Sequence, residues 1–289
     1  MLGSITQLVI PGPSGPIGAR LYAPTASGAA EGDAPPPALV WLHGGGFSGG
    51  DLDMPEAHWV GTALAERGHP VVTVDYRLVT DTVRYPVPSN DVLAAWAWVL
   101  DHRSELNITG TVHLGGASAG GNLAAGAALR LRDKDPSAVS AEVPKTVILA
   151  YPTLHSVQPE PSDELAAHLQ TIPVERRNAP GYVKAMYARF LPALDADAGP
   201  ALYAAVPGAA DPSGLPPILI AGSTVDMLRA SAEDFVASLA AHGVQHEYFV
   251  EADTEHGHLN RPEAPAATAT IDRFHSWLSS HAVRGATDS

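Results

Sequence analysis

Short apolar runs, each too brief for a helix and nearly all followed by a stretch with helical spacing, constrain this chain more than any other feature. They fall at residues 38–42 (Ala-Leu-Val-Trp-Leu), 71–75, 111–114, 146–150, 217–221 and 247–250. A run apolar on both sides of the pleat belongs inside a sheet covered on both faces. Helical patterns occupy 56–67, 91–100, 121–131, 230–242 and 267–281. Two further strand-like runs, 5–10 and 17–22, flank the Pro- and Gly-rich residues 11–16 and read as an opening hairpin. This alternation predicts an α/β protein with a mostly parallel central sheet flanked by helices. Only residues 155–207 break the rhythm, with several prolines and two amphipathic pieces at 163–169 and 182–190. That stretch is expected to be an insertion, about 156–200, over one end of the sheet. The 289 residues then form a single domain, 1–289.

Composition narrows the chemistry. There is no cysteine, which excludes thiolate catalysis, disulfides and Cys-ligated metal. Lys and Arg number 17 against 31 Asp and Glu, a net charge of −14 that repels phosphate backbones, so no nucleic-acid partner is expected. Lysine occurs only at 134, 145 and 184, so no polybasic membrane patch is present. The first six residues lack the charged and apolar regions of a secretory signal, and no apolar run reaches 18 residues. A cytoplasmic protein without a membrane partner is expected.

The strongest motif is Gly116-Ala117-Ser118-Ala119-Gly120, a G-x-S-x-G set between a strand and a helix. A sharp strand-to-helix turn strains the serine and lifts its hydroxyl clear of the sheet at a helix N-terminus. The second motif, His43-Gly44-Gly45-Gly46-Phe47, directly follows the strand ending at Leu42. Consecutive glycines let backbone N–H groups turn toward a ligand, as an oxyanion requires. The N–H groups of Gly45 and Gly46 are expected to act with that of Ala119, His43 and Gly44 supporting the loop. A nucleophilic Ser118 needs a base and an orienting acid, in the order Ser, Asp or Glu, His. Asp226 is the only carboxylate in its loop just past a strand end, whereas Asp234 sits within the next helix. For the base, His256 precedes a glycine and falls first past the acidic loop; His258 is its rival. A metal reading of Glu255, His256 and His258 lacks a third ligand at helical spacing, so no metal site is expected.

Together with Asp75-Tyr76-Arg77-Leu78, Gly121-Asn122, Asp226-Met227-Leu228 and His256-Gly257, these motifs resemble the hormone-sensitive-lipase-like α/β hydrolases, the bacterial family IV esterases. The spacing agrees: 108 residues separate Ser118 from Asp226 and 30 separate Asp226 from His256. The resemblance covers residues 17–283. It implies an α/β-hydrolase fold and a carboxylesterase acting on short- to medium-chain esters through an acyl-enzyme, with no cofactor and a small-molecule ester as its partner. It alone suggests a homodimer through an edge strand or the closing helix. An amidase or peptidase on the same triad, and a ligand-binding homologue without hydrolysis, are the alternatives. Three departures stand out. Ala117 occupies a position that is often acidic, His258 one that is usually bulky and apolar, and only residues 1–4 are expected before the first strand. A reduced helical cap and a more open pocket follow from the last.

Overall fold

The computed structural model describes residues 1–25, 35–138, 140, 142–174, 181–191 and 202–282. Its centre is an eight-stranded sheet in the order β1-β2-β4-β3-β5-β6-β7-β8. The strands are β1 (Leu2–Ile10), β2 (Ile17–Pro24), β3 (Ala38–Leu42), β4 (Val71–Asp75), β5 (Val112–Ala117), β6 (Val147–Ala150), β7 (Ile218–Val225) and β8 (His246–Glu255). β1 and β2 form the antiparallel hairpin, β2 pairs antiparallel with β4, and the pairs from β4 through β8 are parallel. Every residue of β3, β5 and β6 is buried, which is why these short runs read as apolar on both sides.

Helices cover both faces. On one side lie α1 (Pro55–Glu66) and the closing helix α7 (Pro265–Ser280), whose Val60, Leu64, Ile271 and Phe274 pack with Trp41. On the other lie α2 (Val87–Asp101), α3 (Ala119–Arg132) and α6 (Arg229–Ala241), contributing Trp96, Leu123 and Phe235. Between β6 and β7 are α4 (Asp163–Gln170) and α5 (Tyr182–Phe190), at the two amphipathic pieces. Of the insertion expected over 156–200, residues 175–180 and 192–200 lie outside the described residues. No described helix is long and apolar enough to cross a membrane.

Several boundaries differ from the sequence reading. β1 begins at Leu2 rather than at residue 5, because Leu2 and Ser4 continue the ladder to Pro24 and Ala23 across a bulge. α2 starts four residues early, at Val87, with Pro88 in its first turn where a missing N–H costs nothing. β7 and β8 extend to Val225 and Glu255, well beyond their apolar cores. Their polar tips pair with each other, Val225 opposite Glu255 after a register shift, and ladder bonding there is independent of side-chain polarity. That pairing delivers the next residue of each strand, Asp226 and His256, to the same place.

Among the described residues, burial keeps three interior imidazoles neutral: those of His69, His113 and His258. His113 bonds Thr146 Oγ1 (2.7 Å) through Nδ1, and His69 Nδ1 meets the Pro37 carbonyl (3.0 Å). Burial lowers His69 to about 4, His113 to about 3 and His258 to about 4. The unfolded chain takes up these protons near ~6.5. Their contribution to stability is therefore complete above that value and is lost as pH falls toward the folded values. Melting temperature is expected to drop steadily from pH 7 to pH 4. A His113→Asn variant, lacking one of the three protons, should show a shallower drop; a slope equal to the parent's contradicts this linkage.

Candidate active site

Ser118 stands where β5 turns into α3, with φ 51° and ψ −113°. A non-glycine residue at positive φ costs roughly 1–3 kcal/mol and persists only when its surroundings over-determine it. Here its N–H donates to the Ala150 carbonyl (2.8 Å), while its own carbonyl accepts from the N–H groups of Asn122 (3.1 Å) and Thr153 (3.2 Å). The turn closes so tightly that a Cβ on Gly116 would lie 2.5 Å from the Gly120 carbonyl carbon, and one on Gly120 2.3 Å from the Leu42 carbonyl oxygen. Both positions admit only glycine. The Ser118 residue is 8% exposed.

Its hydroxyl lies 3.1 Å from His256 Nε2, and His256 Nδ1 lies 2.8 Å from Asp226 Oδ2. The structure thus brings Ser118, His256 and Asp226 into one hydrogen-bonded chain. Asp226 is 1% exposed, and its other oxygen accepts from the Leu228 N–H (2.8 Å), so the carboxylate is held from both sides. The His256 side chain is 40% exposed and opens into the cavity. Loss of water around the imidazole alone would lower its pKa; the charge and hydrogen bond of Asp226, aided by the charge of Glu56, more than offset this and raise it above the ordinary value. His258 points elsewhere. It is buried between Ser223 Oγ (3.0 Å) and Thr270 Oγ1 (2.9 Å), which explains how a polar ring occupies an apolar position. With the two imidazoles committed to different partners, Glu255, His256 and His258 do not converge on a common point. Asp234, on α6, pairs with His155 at 3.3 Å.

The glycine run enters from β3. Gly45 and Gly46 both have positive φ, 114° and 61°, and both line the cavity beside Ser118. Among the described residues no hydrogen-bond acceptor takes the N–H of Gly45, Gly46 or Ala119. His43 lies beneath the loop, its Nδ1 2.7 Å from the Gly44 carbonyl oxygen and its ring stacked on Tyr76.

The profile of a family described as having the alpha/beta hydrolase fold matches residues 39–260. Among curated proteins, the esterase LipI of Mycobacterium tuberculosis is 33% identical over 277 residues, 93% of this chain and 79% of LipI. The carboxylic ester hydrolase LipN of the same organism is 33% identical over 261 residues, 89% of this chain and 64% of LipN. The chain thus spans somewhat less than two thirds of LipN's length. Among solved structures, an esterase of Pyrobaculum calidifontis superposes with a TM-score of 0.79 at 29% identity, covering 97% of this chain and 86% of that one. This chain is a hormone-sensitive-lipase-like α/β hydrolase.

The cavity of this hydrolase has a volume of about 420 Å³. Its apolar wall comprises Met54, Tyr182, Val183, Met186, Met227 and Leu228. Phe47, which ends the glycine run, stacks on Phe190 of α5 at 3.8 Å between ring centroids. Asn122, one turn into α3, donates to Tyr187 Oη on α5 (2.9 Å). Helix α5 is therefore fastened to both motifs. The site also contains a residue the motifs do not reveal. Glu56, 2% exposed, accepts from the Gly44 N–H (2.7 Å), Tyr151 Oη (2.8 Å) and Asn260 Nδ2 (3.0 Å). In sequence Glu56 is merely an acid near a helix start, where acids are common. The available signal is its spacing: Glu56, Val60 and Leu64 share one buried face at i, i+4 and i+8.

An NMR titration of the His256 ring is expected to give a midpoint above ~6.5. Asp226→Asn should bring it down, since the partner that favours the charged ring is then gone. A parental midpoint at or below 6.5, or one unmoved by the substitution, contradicts the electrostatics described.

Proposed function

We propose that this hydrolase is a serine carboxylesterase that cleaves short- to medium-chain esters through an acyl-enzyme on Ser118. The reading is carried by the continuous chain Ser118 Oγ···His256 Nε2 and His256 Nδ1···Asp226 Oδ2 beside N–H groups that have no acceptor within the described protein. The names of LipI and LipN, esterase and carboxylic ester hydrolase, point to the same class.

His256 takes the Ser118 proton as Oγ attacks the ester carbonyl carbon, and the carbonyl oxygen becomes an oxyanion. The N–H groups of Gly45, Gly46 and Ala119 receive that charge; losing one such donor typically costs about 10²–10³ in rate. The imidazolium returns its proton to the leaving alkoxide, giving the alcohol and the acyl-enzyme. Water, deprotonated by His256, then attacks the acyl carbon; Ser118 leaves with the proton, and the acid departs. Asp226 holds the ring tautomer and steadies the imidazolium throughout. Helices α4 and α5 form the reduced cap of the single domain. Three methionines in the cavity wall suit an acyl group of variable length, because the unbranched thioether repacks at little cost.

With p-nitrophenyl esters from acetate to octanoate, Ser118→Ala and His256→Ala are each expected to lose at least about 10⁴ in kcat. His258→Asn should stay within about tenfold of the parent while losing about 1–3 kcal/mol of stability from the disrupted Ser223 and Thr270 bonds. Equal turnover by Ser118→Ala and the parent overturns the esterase reading, and a matching anilide cleaved as fast as the ester assigns an amidase instead. Neutral His256 is the active form and its pKa is raised, so kcat/KM should fall on acidification with a midpoint above ~6.5. A profile flat to pH 4 excludes a histidine base.

A further inference from the structure

The Glu56 carboxylate is buried, yet among the described residues no arginine, lysine or histidine forms an ion pair with it. Every one of its contacts brings a donor instead: the Gly44 N–H, Tyr151 Oη and Asn260 Nδ2. A buried charge without a counter-ion is strongly disfavoured unless such donors surround it. The three donors come from three different strand ends. Gly44 opens the glycine loop after β3, Tyr151 follows β6, and Asn260 closes the turn that follows His256 after β8. The tie to Asn260 is reciprocal, since the Glu56 N–H donates to Asn260 Oδ1 (3.2 Å). Tyr151 meanwhile sets its ring edge-to-face against His256, with centroids 5.1 Å apart.

We infer that Glu56 is a positioning residue for the esterase reaction: it clamps the loop bearing His256 to the loop bearing Gly45 and Gly46, and its negative charge favours the imidazolium that forms between them. The inference rests on the esterase reading. One carboxylate thereby sets the spacing between base and oxyanion donors, which no covalent connection fixes, as residues 44 and 260 are far apart in the chain. Among the described residues, titratable groups around this centre besides Glu56 include Asp226, His258, Tyr76, Tyr151 and His43, whose ring lies between the Gly44 carbonyl and Tyr76. His258 is held neutral, and burial raises both tyrosines, so Glu56 and Asp226 supply the charge that His256 senses. Arg261 lines the cavity and pairs with Glu255 at 3.6 Å.

Two substitutions separate charge from reach. Glu56→Gln keeps the length and loses the charge; Glu56→Asp keeps the charge and loses a methylene of reach. Both are expected to lower kcat about tenfold to hundredfold, the scale of a misplaced catalytic group, with KM within about threefold of the parent. Only Glu56→Gln should move the acidic midpoint of kcat/KM downward. Tyr151→Phe removes one donor without opening a cavity, and is the variant to use if neither folds; it should lower kcat several-fold at unchanged KM. If the variants that fold keep the parental kcat and midpoint and lose only melting temperature, Glu56 is structural and the inference fails. Ser118→Ala is assayed in parallel: parental turnover surviving in it overturns the esterase reading itself, whereas its loss there together with unchanged Glu56→Gln turnover overturns only the role of Glu56.

Discussion

The steric closure at Gly116 and Gly120 is the constraint on which the rest of the molecule depends. Side chains at those two positions would collide with backbone, so β5 and α3 meet at a distance only glycine permits. The closure forces Ser118 to positive φ, and the neighbouring strand must then hold it there through the Ala150 carbonyl. Parallel strand order follows from the same demand. β3 and β6 flank β5, and their carboxyl ends bring the glycine loop and Tyr151 to the serine. Ligand sites in open α/β sheets gather beyond the carboxyl ends of the strands, and here β3, β5, β7 and β8 are each followed directly by a residue of the site: His43, Ser118, Asp226 and His256.

What could be read from the residues alone divides by how local its cause is. The buried strands, the glycine run and the strand-to-helix elbow at Ser118 are set by neighbours in sequence, and all were legible, as was the mostly parallel sheet of an α/β hydrolase. The place of Asp226 just past a strand end was legible because no other carboxylate competes for its loop. The extension of β7 and β8 was not: Glu251, Asp253 and Glu255 look like loop, and only the ladder between two strands makes them strand. Choosing between His256 and His258 had the same difficulty. Their spacing of two puts them on one short segment, and it is Ser223 and Thr270, distant in sequence, that claim His258. Glu56 was hidden for the opposite reason, since an acid in a first helical turn is ordinary and its burial is decided by three remote loops.

The wall opposite the serine is stiff in one part and soft in another. Helix α5 is rooted by Phe190 on Phe47 and by Tyr187 on Asn122, and Arg84 adds bonds to the carbonyls of Ala188 (3.0 Å) and Leu191 (3.1 Å). These contacts join the helix to both glycine motifs. The side chains it shows the cavity, Tyr182, Val183 and Met186, therefore ride on a support that shares the elbow's rigidity, and adaptation is left to side-chain torsions.

That division has a spectroscopic consequence. The chain holds four methionines, and Met54, Met186 and Met227 all border the cavity, leaving only Met1 elsewhere. Labelling the methionine methyl groups would place three of four resonances around one small volume. The fourth, on an exposed terminal residue, serves as an internal reference. A ligand in the cavity would then be seen by groups on three separate segments, at the start of α1, on α5 and after β7, with almost no background from the remainder of the protein.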